Sequence, residues 1–217
     1  MSRHTLCAPN LRQTLSAAAR ESVHRSLNQG SSGNLSVRSR EGFLITPSAQ
    51  AMAALTADDM VELDMHGEIL GAGRPSSEWR FHRDIYANIP AAAAVVHAHS
   101  PFAVALACLR RDIPPFHYMV ALAGGVDIRC ATYATFGTQA LSDAVLAALS
   151  DRRACLMANH GLLAWGESLA DALDLASEVE ALSGQYLHAC QAGAPVLLSD
   201  AEMAEVLERF KDYRARR

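Results

Sequence analysis

Two histidines interrupt one of the most apolar stretches of the chain, AAAAVVHAHSPFAVALAC, Ala91–Cys108. His97 and His99 are one residue apart, and two imidazoles in apolar surroundings need partners. The β-branched pair Val95-Val96 favours a strand. Ser100-Pro101 reads as a helix start, with Ser at the N-cap and Pro at the first helical position. The pair then sits at the C-terminal end of a short buried strand, where residues i and i+2 share one face. That spacing suits two nitrogens meeting one divalent cation. The competing reading is two core histidines satisfied by neighbouring carbonyls, and the pair alone does not decide between them.

A third histidine follows a second apolar run. His160 lies between Asn159 and Gly161, directly after Ala154–Ala158, and so also at the end of a buried strand. Three imidazoles with an open position are the donor set of a catalytic divalent site of the zinc type. A loop histidine without a role is the alternative. A carboxylate is offered by GRPSSEWRFH, in which Ser76 and Ser77 follow Pro75 and open a helix with Glu78 in its first turn. The helix dipole favours an acid there, so a plain capping-region glutamate is the competing assignment. His82, four residues on, shares the face of Glu78 and reads as a support for it rather than a further ligand.

Anion-binding features form a separate group. The loop GSSGNLS supplies backbone N–H groups without bulk, and Ser76-Ser77 supply hydroxyls and amides near a helix N-terminus. GAGRPS is a poor dinucleotide fingerprint, because Pro75 intervenes and the third glycine is missing. The only lysine is Lys211, in an exposed C-terminal helix, so carbanion chemistry through a buried Schiff-base lysine is disfavoured.

The elements that must position these residues mix along the chain. The chain has 217 residues, half of them hydrophobic, and a net charge of −4, which gives no electrostatic case for nucleic acid. Five cysteines are scattered without a CxxC, which fits reduced thiols in a cytoplasm. The N-terminal residues hold no apolar signal core, and the histidines and Pro101 rule out a membrane span before Cys108. A helix is expected over Leu11–Gln29, stopped by Gly30, then strands at Leu35–Arg38 and GFLITPS. A Thr56-capped turn and a hairpin about His66-Gly67 follow. Further helices are expected after Ser77, after Pro101, over GTQALSDAVLAALS, over SLADAL…ACQAG and from Asp200 to Tyr213, with a strand pair in ACLMANHGLLAWG. Such mixing predicts one layered α/β domain over residues 1–217.

NQGSSGNLSVR, LITPS, GRPSSEWRFH, VVHAHS, PPFHYMVALAGG, ATYATFGT, NHGLLA and LSDAEMAEVLERFKDY together resemble the metal-dependent class II aldolase/adducin family, on its fuculose-phosphate branch. The match covers nearly the whole chain in order. It implies a three-layer α/β/α fold with a central, mainly antiparallel sheet, and a homotetramer with active sites between subunits. It makes His97, His99, His160 and Glu78 the ligands of one zinc ion, with Glu78 also the acid/base once substrate displaces it. Gly33, Asn34, Ser48, Ser76 and Ser77 match phosphate and substrate contacts, and Phe136 lines the pocket. Tyr118 matches a tyrosine that reaches a neighbouring subunit's site, and Tyr213 a C-terminal tyrosine there. Ala49 stands where the family usually has Gly, so its Cβ either crowds the phosphate or goes with a different loop conformation. Asp127 reads as a turn aspartate.

The implied reaction cleaves a ketose 1-phosphate of the L-fuculose 1-phosphate type into dihydroxyacetone phosphate and an aldehyde. The metal would act as a Lewis acid that stabilises an enediolate. Within the family, a sugar-acid phosphate decarboxylase, a pentulose-phosphate epimerase and a methylthioribulose-phosphate dehydratase stay open, although the epimerase branch typically has Asp at position 78. A cupin-like site lacks the Glu expected soon after the histidine pair. A barrel-type metal hydrolase lacks its later ligands. A non-enzymatic adducin-like scaffold would be expected to lose the ligands that this chain keeps.

Overall fold

The computed structural model describes residues 8–215, with side chains described from Leu11 to Lys211. Seven strands form one sheet: β1 (Asn34–Arg38), β2 (Gly42–Ile45), β3 (Val61–Asp64), β4 (Ala94–Ala98), β5 (Cys130–Ala131), β6 (Ala154–Met157) and β7 (Gly161–Gly166). Their order across the sheet is β3-β2-β1-β4-β7-β6-β5. Every neighbouring pair is antiparallel except β5 with β6. Among the described residues six α-helices accompany the sheet: α1 (Ala8–His24), α2 (Trp79–Asn88), α3 (Pro101–Leu109), α4 (Gln139–Ala148), α5 (Leu169–Ala192) and α6 (Asp200–Ala215).

Alternation along the strands builds two cores. Leu35, Val37, Ala94, Val96, Ala98, Leu162 and Ala164 face a cluster with Leu15 of α1, Leu106 of α3 and Val179 of α5. Phe43, Ile45, Val95, Leu163 and Met157 face the other side, with Phe81 and Ile85 of α2 and Val145 of α4. The sheet therefore lies between two helical layers, the α/β/α arrangement that the family resemblance implies; the mixed pattern alone predicts a layered α/β domain. Both faces of β4 are buried, which is why its sequence reads as a continuous apolar run.

Two helix boundaries, one cap and one strand end differ from expectation. Strand β2 stops at Ile45 instead of running on through Thr46-Pro47-Ser48. The first helix ends at His24, not Gln29. Ser26 takes φ +59°, its N–H bonds to Val23 O, and Leu27 N–H reaches back to Ser22 O, both at 2.9 Å. This is a Schellman closure with serine where glycine is usual, so Gly30 was the wrong stop signal. The second helix starts at Trp79, which leaves Glu78 outside it at the N-cap position (φ −100°, ψ 14°). Ser76 and Ser77 precede it, because Ser76 N–H is held by Thr46 O of the neighbouring loop. At α3, Ser100 is the N-cap residue and Pro101 the first helical one, as read, but the Ser100 hydroxyl does not cap. Glu180 of α5 accepts instead from the Ser100 hydroxyl and from the N–H groups of Phe102 and Ala103.

Candidate active site

His97 is the penultimate residue of β4 and pairs across the sheet with Asn34 of β1 and Leu163 of β7. Its side chain shares the face of Val95 and meets Phe81 edge-on. His99 lies two residues on and turns the same way. His160 closes the β6–β7 reversal, where Asn159 takes φ +55° and His160 N–H bonds to Met157 O. Asparagine tolerates that left-handed conformation better than most residues. Gly161 completes the approach: a Cβ there would lie 2.3 Å from Ala98 O and 3.1 Å from the His99 ring.

The three imidazoles form a nearly equilateral array. Their centroids stand 4.8, 4.8 and 4.9 Å apart, and each pair is close to edge-on. Glu78 caps it, with Oε2 3.3 Å from His97 Nε2 and Oε1 3.3 Å from His160 Nε2. His97 Nε2 and His99 Nε2 are 2.9 Å apart. Donors bound tetrahedrally to a zinc-sized ion at ~2.0–2.1 Å stand about 3.3 Å from one another. All four donor atoms lie within 4.8 Å of each other, and Glu78 Oε1 is buried without a hydrogen-bond partner. An orphaned carboxylate oxygen facing three nitrogens fits a divalent cation, and the cluster can hold one.

Electrostatics agree with that use. Burial opposes ionisation of Glu78, but the imidazoles of His97 and His160 and the Asn34 amide hold its pKa below the usual carboxylate range. Burial pushes His99 down to about 3 and His160 down to about 4. Both rings are therefore neutral at physiological pH, the form that ligates metal.

The cluster opens into a pocket of about 330 Å³. Gly33, Asn34, Ser48, Ala49, Ser76, Ser77 and Phe136 all line it, together with Glu78, His99 and His160. Gly33 must be glycine: φ is +75°, and a Cβ would fall 2.6 Å from His97 O and closer still to Asn28. Ala49 takes φ +59°, so the loop holds the left-handed backbone that glycine adopts freely. Tyr118 does not line this pocket. It is 50% exposed and stacks with Phe210 of α6 at 6.4 Å. The Tyr213 side chain lies outside the described residues. Asp127 pairs with Arg152 at 2.8 Å, away from the pocket, and Lys211 pairs with Glu208 on the exposed face of α6.

Further residues enter that the quoted stretches contain but do not assign individually. Ser31, Ser32, Tyr133 and Asn159 line the pocket. Asn28 is buried beneath it and accepts from His99 N–H at 3.2 Å. Tyr133 was signalled only by standing three residues before Phe136. Asn28 carried no local signal, since its partner lies 71 residues away.

Three imidazoles and a carboxylate at the open ends of strands, beneath a serine-rich wall, define a metal-dependent enzyme centre. Residues 13–187 match the family model described as Class II Aldolase and Adducin N-terminal domain. The chain belongs to this metal-dependent family. It is 53% identical over 203 residues to the Rhodospirillum rubrum 5-methylthioribulose-1-phosphate/5-deoxyribulose-1-phosphate aldolase, covering 94% of this chain and 92% of the relative. It is 48% identical over 194 residues to the L-fuculose phosphate aldolase of Escherichia coli K12, covering 89% and 90%. The solved structure of an L-fuculose 1-phosphate aldolase superposes with a TM-score of 0.91 at 38% identity, covering 96% of this chain and all of that one. With relatives that are named aldolases, the chain is a lyase. No helix among the described residues is long and apolar enough to cross a membrane.

Proposed function

We propose that this enzyme cleaves a ketose 1-phosphate between C3 and C4, giving dihydroxyacetone phosphate and an aldehyde, with one zinc ion held by Glu78, His97, His99 and His160. The observation that carries this reading is the single pocket joining the Glu78–imidazole floor to a wall of serine hydroxyls and loop amides. A zinc ion bound there would supply Lewis acidity toward the substrate carbonyl. Gly33, Ser48, Ser76 and Ser77 bind the phosphate and fix the reacting carbons above the floor. Glu78 carries the proton that joins C3 as the C3–C4 bond breaks. In the reverse, condensation direction the Tyr118 hydroxyl of a neighbouring subunit gives its proton to the aldehyde oxygen that becomes the C4 hydroxyl. Two features support that assignment: Tyr118 is half exposed, and it does not line the pocket of its own chain.

The relatives' names divide over the ketose. Fuculose and 5-deoxyribulose end in a methyl group, and methylthioribulose ends in a methylthio group. Tyr133 and Phe136, both largely exposed beside the pocket, suit such an apolar end. We therefore assign a ketose 1-phosphate with an apolar terminus, acted on by a homotetramer built from a single-domain chain. The four free cysteines among the described residues suit the cytoplasm. The test is a panel pairing dihydroxyacetone phosphate with acetaldehyde, methylthioacetaldehyde and lactaldehyde, set against sugar-acid phosphates, with metal analysis of the same sample. Condensation with these aldehydes is expected. Decarboxylation of a sugar-acid phosphate without any condensation would overturn the assignment.

A further inference from the structure

A file of buried polar side chains leads from the interior of the sheet to Glu78. Tyr86 hydroxyl lies 2.7 Å from Ser36 Oγ, and Ser36 Oγ lies 2.6 Å from His82 Nδ1. His82 Nε2 meets Asn34 Oδ1 at 2.5 Å, and Asn34 Nδ2 donates to Glu78 Oε2 at 2.9 Å. Ser36 and His82 are fully buried, and Asn34 and Tyr86 are 2% exposed. Two periodicities meet in this file. Asn34 and Ser36 share one face of β1, while Glu78, His82 and Tyr86 recur every fourth residue at and along α2.

The donors in this file can run in only one sense. A carboxylate accepts, so Asn34 turns its amide NH2 toward Glu78 and its Oδ1 away. That oxygen needs a donor, so His82 carries its proton on Nε2. His82 Nδ1 is then an acceptor and takes the Ser36 hydroxyl proton. Ser36 oxygen in turn accepts from Tyr86. An Asn34 amide turned the other way would set Oδ1 against the carboxylate and NH2 against a ring N–H. Burial, which pushes His82 down to about 3, keeps the ring neutral and the sense fixed.

The geometry points to His82 as a positioning residue: it fixes the Asn34 amide so that Asn34 steers the Glu78 carboxylate over the metal site. Ser36 and Tyr86 hold the His82 tautomer. This rests on Glu78 being the working carboxylate of the proposed reaction, but its principal readout does not.

The experiment is nitrogen-15 NMR of the histidine rings in the parent protein, metal-free and zinc-loaded, with the His82 signals assigned by loss in His82→Gln. The expected result is the Nε2–H tautomer of neutral His82 in both states. An Nδ1–H tautomer, or a doubly protonated ring at neutral pH, would overturn the inference. Two variants add a functional readout. Glutamine can accept from Ser36 and donate to Asn34, so His82→Gln should keep turnover and zinc affinity (by chelator competition) within about threefold. His82→Leu keeps bulk without the donor and should lose roughly 10–100-fold in one or both, as for other groups that orient metal ligands. A folded His82→Leu with parental turnover and zinc affinity contradicts the role, and so does a folded His82→Gln as impaired as that range. If His82→Leu does not fold, the tautomer and the His82→Gln rescue decide. Glu78→Gln with undiminished proton exchange would instead sink the proposed function and leave the tautomer result standing.

Discussion

His97 Nδ1 donates to Leu162 O across the β4–β7 pair at 2.8 Å. That bond commits Nδ1 to the backbone and leaves Nε2 as the ring atom facing His99 Nε2 and Glu78. A ligand histidine oriented through its other nitrogen is the usual arrangement in metal sites. His97→Ala removes a donor from the centre of the cluster and leaves Leu162 O without this partner. In a His97→Ala, His99→Ala double variant only Glu78 and His160 remain. Zinc content of that protein, loaded and then desalted, should fall from about one ion per chain to well below half, because a catalytic site of this type needs three protein ligands. Full occupancy with parental activity would contradict the assignment.

Replacing Ser76 and Ser77 together by Ala should act mainly on substrate binding. Both line the pocket, and Ser76 Oγ also accepts from Glu78 N–H at 3.3 Å. KM for the ketose phosphate should rise about tenfold or more with a smaller change in kcat, the signature of lost uniform binding. Equal use of the unphosphorylated ketose by the parent enzyme would contradict a phosphate site.

Ala49 holds φ +59° with its side chain exposed. The left-handed conformation costs a residue with a Cβ roughly 1–2 kcal/mol. Ala49→Gly should raise unfolding free energy by a good part of that, less the extra unfolded-state entropy of glycine. It should also lower KM, since the loop beside Ser48 is relieved of strain. Calorimetry and steady-state kinetics check both, and a lower melting temperature would count against the strain.

His82 makes the protein sensitive to acid. The groups facing it are Ser36, Asn34, Tyr86 through Ser36, the Glu78 carboxylate and the His97 ring. Its folded pKa of about 3 lies below the ordinary histidine value of ~6.5. Between those limits the unfolded chain binds a proton that the folded chain does not, so stability falls as pH falls. The slope approaches ~1.4 kcal/mol per pH unit for this one group. Metal-free parent protein should therefore lose about 2 kcal/mol more than His82→Gln between pH 7 and pH 5 in urea titrations. Parallel losses in the two proteins would contradict a buried neutral His82.

Local signals carried much of this architecture. The i, i+2 spacing of His97 and His99 needs only a strand, and Val95-Val96 supplied it. Pro101 marked the start of α3, but its capping partner Glu180 stands 80 residues from Ser100 and could not be read locally. The end of α1 escaped because Ser26 does what glycine usually does. The Glu78–His82 spacing was visible as a helical repeat, and Tyr86 continues it one turn on. Its meaning required the register that sets Asn34 opposite His97. Asn28 and Asn159 act through the loops that hold His99 and His160, and nothing near them in the chain announces those contacts.

The central claim is that Glu78 carries the proton at C3, and exchange of the pro-chiral proton of dihydroxyacetone phosphate with solvent tests it without any aldehyde. Glu78→Gln keeps the size of the side chain and can still accept from Asn34, but it cannot take up a proton as a carboxylate does. Three imidazoles remain to hold the metal. The zinc-replete variant should exchange this proton about 10²–10⁴-fold more slowly than the parent, the usual loss on removing a general base. Exchange at the parental rate in a zinc-replete Glu78→Gln protein would contradict the account.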